Sequence, residues 1–134
     1  MVHAGSAVLA IAAAKGGASK VVAIELDDDA MSNAEENVER NGVADRVHLL
    51  CGDASVLLPF FAPVRVVLAN IISSVHREML PVVAQCLSPD GVVIISGILQ
   101  TERDEMLQYV TSAGWRMIAD DSEGEWWSAT IVRA

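Results

Sequence analysis

The feature that most constrains this 134-residue chain is a repeated alternation. Short β-branched, apolar runs end in a polar residue, and a helix-like segment follows. Lys20 to Leu26, Arg46 to Cys51, Val64 to Ala69 and Gly91 to Leu99 are such runs. Their near-continuous apolarity is that of parallel strands covered on both faces. The intervening segments carry helical spacing. Ala7 to Lys15 is rich in helix formers and stops at Gly16-Gly17, a C-capping pair. Asp27, Asp28 and Asp29 suit a helix N-terminus, with Met31, Ala34 and Val38 on one face and Asn41-Gly42 closing it. In Ser74 to Leu87 the apolar face is Val75, Met79, Val82, Val83 and Cys86, and Pro81 predicts a kink or restart. Ser88-Pro89-Asp90-Gly91 reads as a turn. Thr101 is placed to cap a helix bearing Met106, Leu107, Val110 and Ala113. Trp115 to Ala119 and Trp126 to Val132, about an Asp-Asp-Ser-Glu-Gly turn, predict an antiparallel hairpin. The order predicts one α/β domain over 1–134: a doubly wound, mostly parallel sheet ending in that hairpin.

Composition narrows the function. Hydrophobic residues make up 52% of the chain, ample for a core, while no apolar run approaches the ~20 residues of a membrane span. Eighteen acidic against nine basic residues give a net charge of −9, which opposes nonspecific phosphate binding. Neither nucleic acid nor membrane is therefore an expected partner. Cys51 and Cys86 lack metal or disulfide spacing and read as small buried hydrophobes. His48 and His76 have no second ligand at metal spacing. The chain shows no secretory signal pattern, so the expected compartment is the cytoplasm.

Ligands of open parallel sheets collect at the carboxyl ends of the strands. Four polar features fall there. Gly5-Ser6-Ala7 lets backbone approach a ligand and aims helix amides at it, or is simply a helix start. Glu25 suits the two hydroxyls of a ribose, or is a solvated acid beside Asp27 to Asp29. Asp53, after Gly52, could accept from an adenine amino group, or form a plain Gly-Asp turn. The Asn70 carbonyl can accept from an amine while its NH2 binds elsewhere. Their order along the chain fits an adenosyl cofactor whose reactive end lies near Asn70.

At these residues the sequence resembles the class I methyltransferases that use S-adenosyl-L-methionine, and among them the ribosomal protein L11 methyltransferase family. The matching stretches are Gly5 to Lys15, Val21 to Glu25, Glu36-Asn37-Val38 with Asn41-Gly42-Val43, Val67 to Ile71, Ser96-Gly97-Ile98-Leu99 and Gly124-Glu125-Trp126. The likeness covers nearly the whole chain. The resemblance implies a Rossmann-like fold and methylation of lysine and N-terminal amines on a ribosomal protein. By the same resemblance, Gly5, Ala7, Glu25, Leu26, Asp53, Ala54 and Asn70 line the cofactor. Glu25 takes the ribose, Asp53 the adenine side, and Asn70 lies beside the methyl group and the acceptor amine. No strong base is evident, which suits a displacement governed by the positioning of a neutral amine.

The chain departs from the family's Asp-x-Gly-x-Gly-Ser-Gly loop. Met1 stands at the acid, His3 at the first glycine, Gly5 at the second and Ala7 at the third. No residues remain for the central strand expected before this loop, or for the family's N-terminal substrate domain. Met1 to Ala4, a rearranged segment or a second copy of the chain, as in a homodimer, is expected to fill the strand's place between those ending at Glu25 and Asn70. Other readings are a truncated, noncatalytic binding or oligomerisation module and a small-molecule or RNA methyltransferase. Asn-Ile-Ile is unlike the Asn-Pro-Pro-Tyr of base methylators, and no intact G-x-G-x-x-G supports nicotinamide binding. Trp126-Trp127 is expected to place one ring in the core and one nearer solvent, and Phe60-Phe61 to pack a loop.

Overall fold

A computed structural model describes residues 5–134, so the expectation that Met1 to Ala4 replace a strand lies outside the described residues. The chain divides into two compact units, residues 1–57 and 58–134.

In the first unit, α1 (Val8–Lys15), β1 (Val21–Glu25), α2 (Asp28–Arg40), β2 (Val47–Cys51) and the short α3 (Ala54–Leu57) follow one another. β1 and β2 pair in parallel, from Val21 opposite Val47 to Glu25 opposite Cys51. Small side chains let the helices approach closely. Ala10, Ile11 and Ala14 of α1, Ala34 and Val38 of α2, and Val21, Ala23 and Val47 of the strands form one buried cluster. The Asp27 side chain accepts from the Asp29 amide at 2.9 Å, capping α2 where its dipole favours an acid. Arg46 donates to the Ala14 carbonyl at 2.7 Å, satisfying the last turn of α1.

The second unit contains a 3-10 turn (Leu58–Phe61), β3 (Val64–Asn70), α4 (Ser73–Cys86), β4 (Leu87–Leu99), a second 3-10 turn (Gln100–Glu102), α5 (Arg103–Ser112), β5 (Trp115–Glu123) and β6 (Trp126–Arg133). Its sheet runs β3-β4-β6-β5, parallel between β3 and β4 and antiparallel thereafter. Val67, Ala69, Val93, Ile95, Ala129 and Ile131 alternate onto the buried face, while Val66 and Ile94 lie exposed on the other. The guanidinium of Arg133 donates to the Ala84, Leu87 and Ser88 carbonyls, closing the C-terminal end of α4. The α/β class, the parallel pairings and the terminal antiparallel strands are as expected from the sequence.

Several local expectations are corrected. α4 runs through Pro81 without a restart. Proline removes the amide that would reach the Arg77 carbonyl four residues earlier, and the Tyr109 hydroxyl of α5 donates to that carbonyl instead, at 3.0 Å. The buried face of α4 is His76, Met79, Leu80, Val83 and Cys86, turned from the predicted one to take in His76 and Leu80. β4 includes the Ser88-Pro89-Asp90-Gly91 segment, where the register against β3 shifts between Val64 and Val66. Thr101 caps nothing. The Glu102 carboxylate instead accepts from the Leu99 amide at 3.2 Å and from Ser73 Oγ at 3.0 Å. The acids of the hairpin lie within β5, which extends to Glu123 because they pair with β6 as far as Trp126. Phe60 is 79% exposed and packs no loop, and Cys51 at the end of β2 is exposed while Cys86 is buried. Trp127 is buried and Trp126 half-exposed, as alternation along a strand requires.

Candidate functional site

The sequence candidates of the first unit meet at the carboxyl end of its strands. Glu25, the last residue of β1, is buried and accepts two backbone amides: Gly5 at 2.5 Å through Oε2 and Asp27 at 3.1 Å through Oε1. A carboxylate oxygen has two lone pairs, so each of these oxygens retains acceptor capacity. The loop bound by Glu25 is left-handed at both candidate positions, with φ of 54° at Gly5 and 67° at Ala7. Ala7 is completely buried and occupies the N-cap of α1, with no side-chain cap of its own. Ala7 thus holds a left-handed conformation that costs an L residue roughly 1–2 kcal/mol. Asn37 of the Glu36-Asn37-Val38 match donates to the Ser6 carbonyl at 3.1 Å and fixes the loop from α2.

Leu26, beside Glu25, is 60% exposed and presents an apolar side chain where the strand ends. The Gly52 amide donates to the Glu25 carbonyl at 2.9 Å, which brings the end of β2 against the end of β1. Asp53 follows, accepting from Ser55 N at 2.9 Å and Ser55 Oγ at 2.7 Å. It stands at the start of α3, and Ala54 is buried behind it.

In the second unit Asn70 closes β3 and is exposed. Opposite it in register stands Ser96, followed by Gly97 at φ 78°. A β-carbon on Gly97 would lie 2.8 Å from Asn70 Oδ1 and 2.8 Å from the Ile71 carbonyl. The glycine of the Ser-Gly-Ile-Leu match is therefore a packing requirement of the Asn70 corner. The Ser96 carbonyl accepts from the Ile71 amide at 3.2 Å and makes a 2.8 Å contact with His76 Nε2. His76 is fully buried, and burial pushes its pKa below the ordinary value, leaving a neutral ring whose Nε2–H donates to Ser96. Its Nδ1 has no hydrogen-bond partner among the described residues. Sequence reasoning dismissed His76 as a metal ligand and missed this placement. The available signal was its spacing of three, four and seven residues from Met79, Leu80 and Val83, which puts it on an apolar helix face.

A cleft of about 230 Å3 lies between the starts of α4 and α5, lined by Ser73, Ser74, Arg77, Glu102, Glu105 and Met106. Its charges are largely matched internally, with Arg77 on Glu105 at 2.8 Å and Glu102 held by Ser73. Elsewhere the Asp120 carboxyl is held below the usual carboxylate range by the Trp127 indole N–H at 3.0 Å and by Arg103. No group of three or more potential metal ligands occurs among the described residues. No helix among them is long and apolar enough to cross a membrane.

A family profile described as ribosomal protein L11 methyltransferase matches residues 2–134. The ribosomal protein L11 methyltransferase of Desulforamulus reducens is 39% identical over 131 residues, 98% of this chain and 42% of that protein. The Thermotoga maritima protein of the same name is 32% identical over 133 residues, 99% of this chain and 49% of its own length. The chain thus spans less than half the length of these curated relatives. The crystal structure of a ribosomal protein L11 methylase from Lactobacillus delbrueckii subsp. bulgaricus superposes with a TM-score of 0.88 at 32% identity, covering 98% of this chain and 67% of that one. An RNA methyltransferase from Salinibacter ruber, solved in complex with S-adenosyl-L-homocysteine, shares the fold at a TM-score of 0.77 and 22% identity, covering 96% of this chain and 75% of that one. Sequence match over nearly the whole chain and shared class I methyltransferase architecture lead to one conclusion: the chain belongs to the ribosomal protein L11 methyltransferase family.

Proposed function

We propose that this chain carries the S-adenosyl-L-methionine site of an enzyme that methylates amines on a ribosomal protein. In this reading Gly5, Ala7, Glu25, Leu26, Asp53 and Ala54 serve the adenosyl portion, and Asn70 serves the acceptor amine. The observation that carries the reading is the closure of the left-handed Gly5 loop onto the buried Glu25 carboxylate.

The residues present fit the cofactor. Glu25 keeps one acceptor site on each oxygen, as two ribose hydroxyls require. Gly5 has nothing within 4 Å of where a β-carbon would sit, so its backbone is open to a close approach. Leu26 offers an apolar contact for the face of a purine. When bound, S-adenosyl-L-methionine supplies a methyl group on a positively charged sulfur, open to in-line displacement by a neutral amine. The chain's contribution is then positional, since orientation accounts for much of the rate of such a step. The Asn70 carbonyl accepts one N–H of the acceptor and directs its lone pair. A lysine acceptor, with an ordinary pKa of ~10.4, must first give up a proton. The excess of carboxylates favours a basic polypeptide as partner.

Calorimetry of the folded chain with S-adenosyl-L-homocysteine and, separately, NAD tests the cofactor. Binding of the first alone is expected, weakened about tenfold or more in Glu25→Ala through loss of charge-assisted hydrogen bonds. Methyl incorporation into a basic ribosomal protein tests the acceptor. A folded chain that gives no heat with S-adenosyl-L-homocysteine would overturn the reading.

A further inference from the structure

His76 is an anomaly in energetic terms. The fully buried imidazole hydrogen-bonds the Ser96 carbonyl and lies close enough to the Ile71 backbone for that backbone to raise its pKa, while Nδ1 makes no well-formed hydrogen bond among the described residues. One neutral hydrogen bond does not offset one unpaired buried acceptor. The Ser96 carbonyl does not need His76 for satisfaction, because it already receives the Ile71 amide at 3.2 Å. The fold therefore gains little stability from the polarity of the ring.

Its geometry supplies the explanation. The Ser96 oxygen is a shared acceptor joining the ends of two parallel strands to α4: Ile71, immediately after Asn70, donates from one side and His76 from the other. Gly97, next to Ser96, comes so near that any side chain there would displace Asn70 Oδ1 or the Ile71 peptide. A small rotation of the Ser96 peptide is thus transmitted to the Asn70 carboxamide. The imidazole opposes that rotation from inside the core, where no water can substitute for it.

We propose that His76 is a positioning residue for Asn70, holding the Ser96 carbonyl and, through it, the direction in which the Asn70 carboxamide leaves β3. The catalytic consequence rests on the reading of Asn70 given under Proposed function, whereas the positional claim does not.

Two kinds of variant separate positioning from mere packing. His76→Met and His76→Leu fill the space without a donor. His76→Gln restores an N–H at about the reach of Nε2. The first readout, on the ligand-free chain near pH 7.5, is the 15N–1H correlation spectrum. In either apolar variant the Asn70 side-chain NH2 and Ile71 amide signals are expected to move, while the indole signal of Trp115, which pairs with Arg133 at the opposite end of the sheet, stays and the melting temperature is equal to or above that of the unaltered chain. His76→Gln returns both signals toward their original positions. Unmoved Asn70 and Ile71 signals in the folded apolar variant, or a shift in His76→Gln as large as in His76→Met, overturns the proposal.

The second readout applies if the unaltered chain transfers methyl groups. kcat should then fall about tenfold to a hundredfold in His76→Met, the scale of a small misplacement of a reacting group, with cofactor KM little changed and recovery in His76→Gln. Unchanged kcat in a variant whose Asn70 signals have moved overturns the catalytic reading of Asn70, and the spectra alone decide the positional claim. An unaltered chain that binds no cofactor defeats the functional reading alone, and the spectra still decide the positional one.

Discussion

Gly97 and Asn70 approach so closely that a β-carbon on the glycine would stand 2.8 Å from the asparagine Oδ1. The ends of β3 and β4 can pair at this spacing only where β4 has no side chain. Gly97→Ala adds both this overlap and the strain of an L residue at φ 78°. The expected loss is about 2 kcal/mol or more, read from urea unfolding, with displacement of Asn70. A loss within about 0.5 kcal/mol, the range of a neutral surface change, would show that the corner relaxes freely.

Ala7 carries the opposite burden, an L residue where glycine would be unstrained. Ala7→Gly relieves roughly 1–2 kcal/mol of left-handed strain but returns about 0.4–1 kcal/mol of chain entropy to the unfolded state and gives up a buried methyl. Stability should therefore change little. Ala7→Val, β-branched and completely enclosed, should cost more than about 2 kcal/mol. Equal midpoints for the two variants in denaturant would contradict the assigned backbone conformation.

Glu25→Gln places an amide NH2 where one of two backbone donors now finds a carboxylate oxygen. One of Gly5 and Asp27 loses its acceptor, and a loss of about 1–3 kcal/mol is expected. Hydrogen exchange at those two amides identifies which one is released; protection retained at both would disprove the double acceptance.

Tyr109→Phe removes the donor that replaces the missing amide of Pro81 at the Arg77 carbonyl. The predicted cost is about 0.5–1 kcal/mol. Pro81→Ala supplies a backbone N–H to the same oxygen and should recover that loss in the double variant. A double-mutant cycle with zero coupling would remove Tyr109 from this role.

His76 also sets a pH response. Its pKa is pushed below the ordinary 6.5 by burial, so in the window below that value the unfolded chain binds a proton that the folded chain does not. Stability from this group is complete above pH 6.5 and declines as pH falls through the window toward the folded-state pKa. His76→Met should flatten that part of the profile. Identical slopes for the two proteins as pH falls below 6.5 would refute a depressed His76 pKa.

Local chemistry was legible where neighbours in sequence decide the outcome. Apolar runs marked four of the strands, Asp27 marked the start of α2, and alternation separated buried Trp127 from half-exposed Trp126. Gly5, Glu25, Asp53 and Asn70 were readable as candidates because they fall in the loop and at the strand ends where ligands of open parallel sheets collect. The Pro81 restart, the Thr101 cap and the extent of the hairpin were misread. In each case a partner distant in sequence replaced the local rule: Tyr109 for the missing amide, Glu102 with Ser73 for the cap, and β6 for the pairing of the acids.

The amino-acid order by itself determined the class of fold and the family, because periodicity and strand-end residues depend on short stretches of chain. Only the tertiary structure decided why Gly97 is a glycine, how Ala7 keeps a glycine's conformation and what His76 holds. Those answers depend on distances between segments brought together by the core: 26 positions separate Asn70 from Ser96, yet their backbones are paired. Close approach and unpaired buried atoms are properties of that packing, and no periodicity along the chain records them.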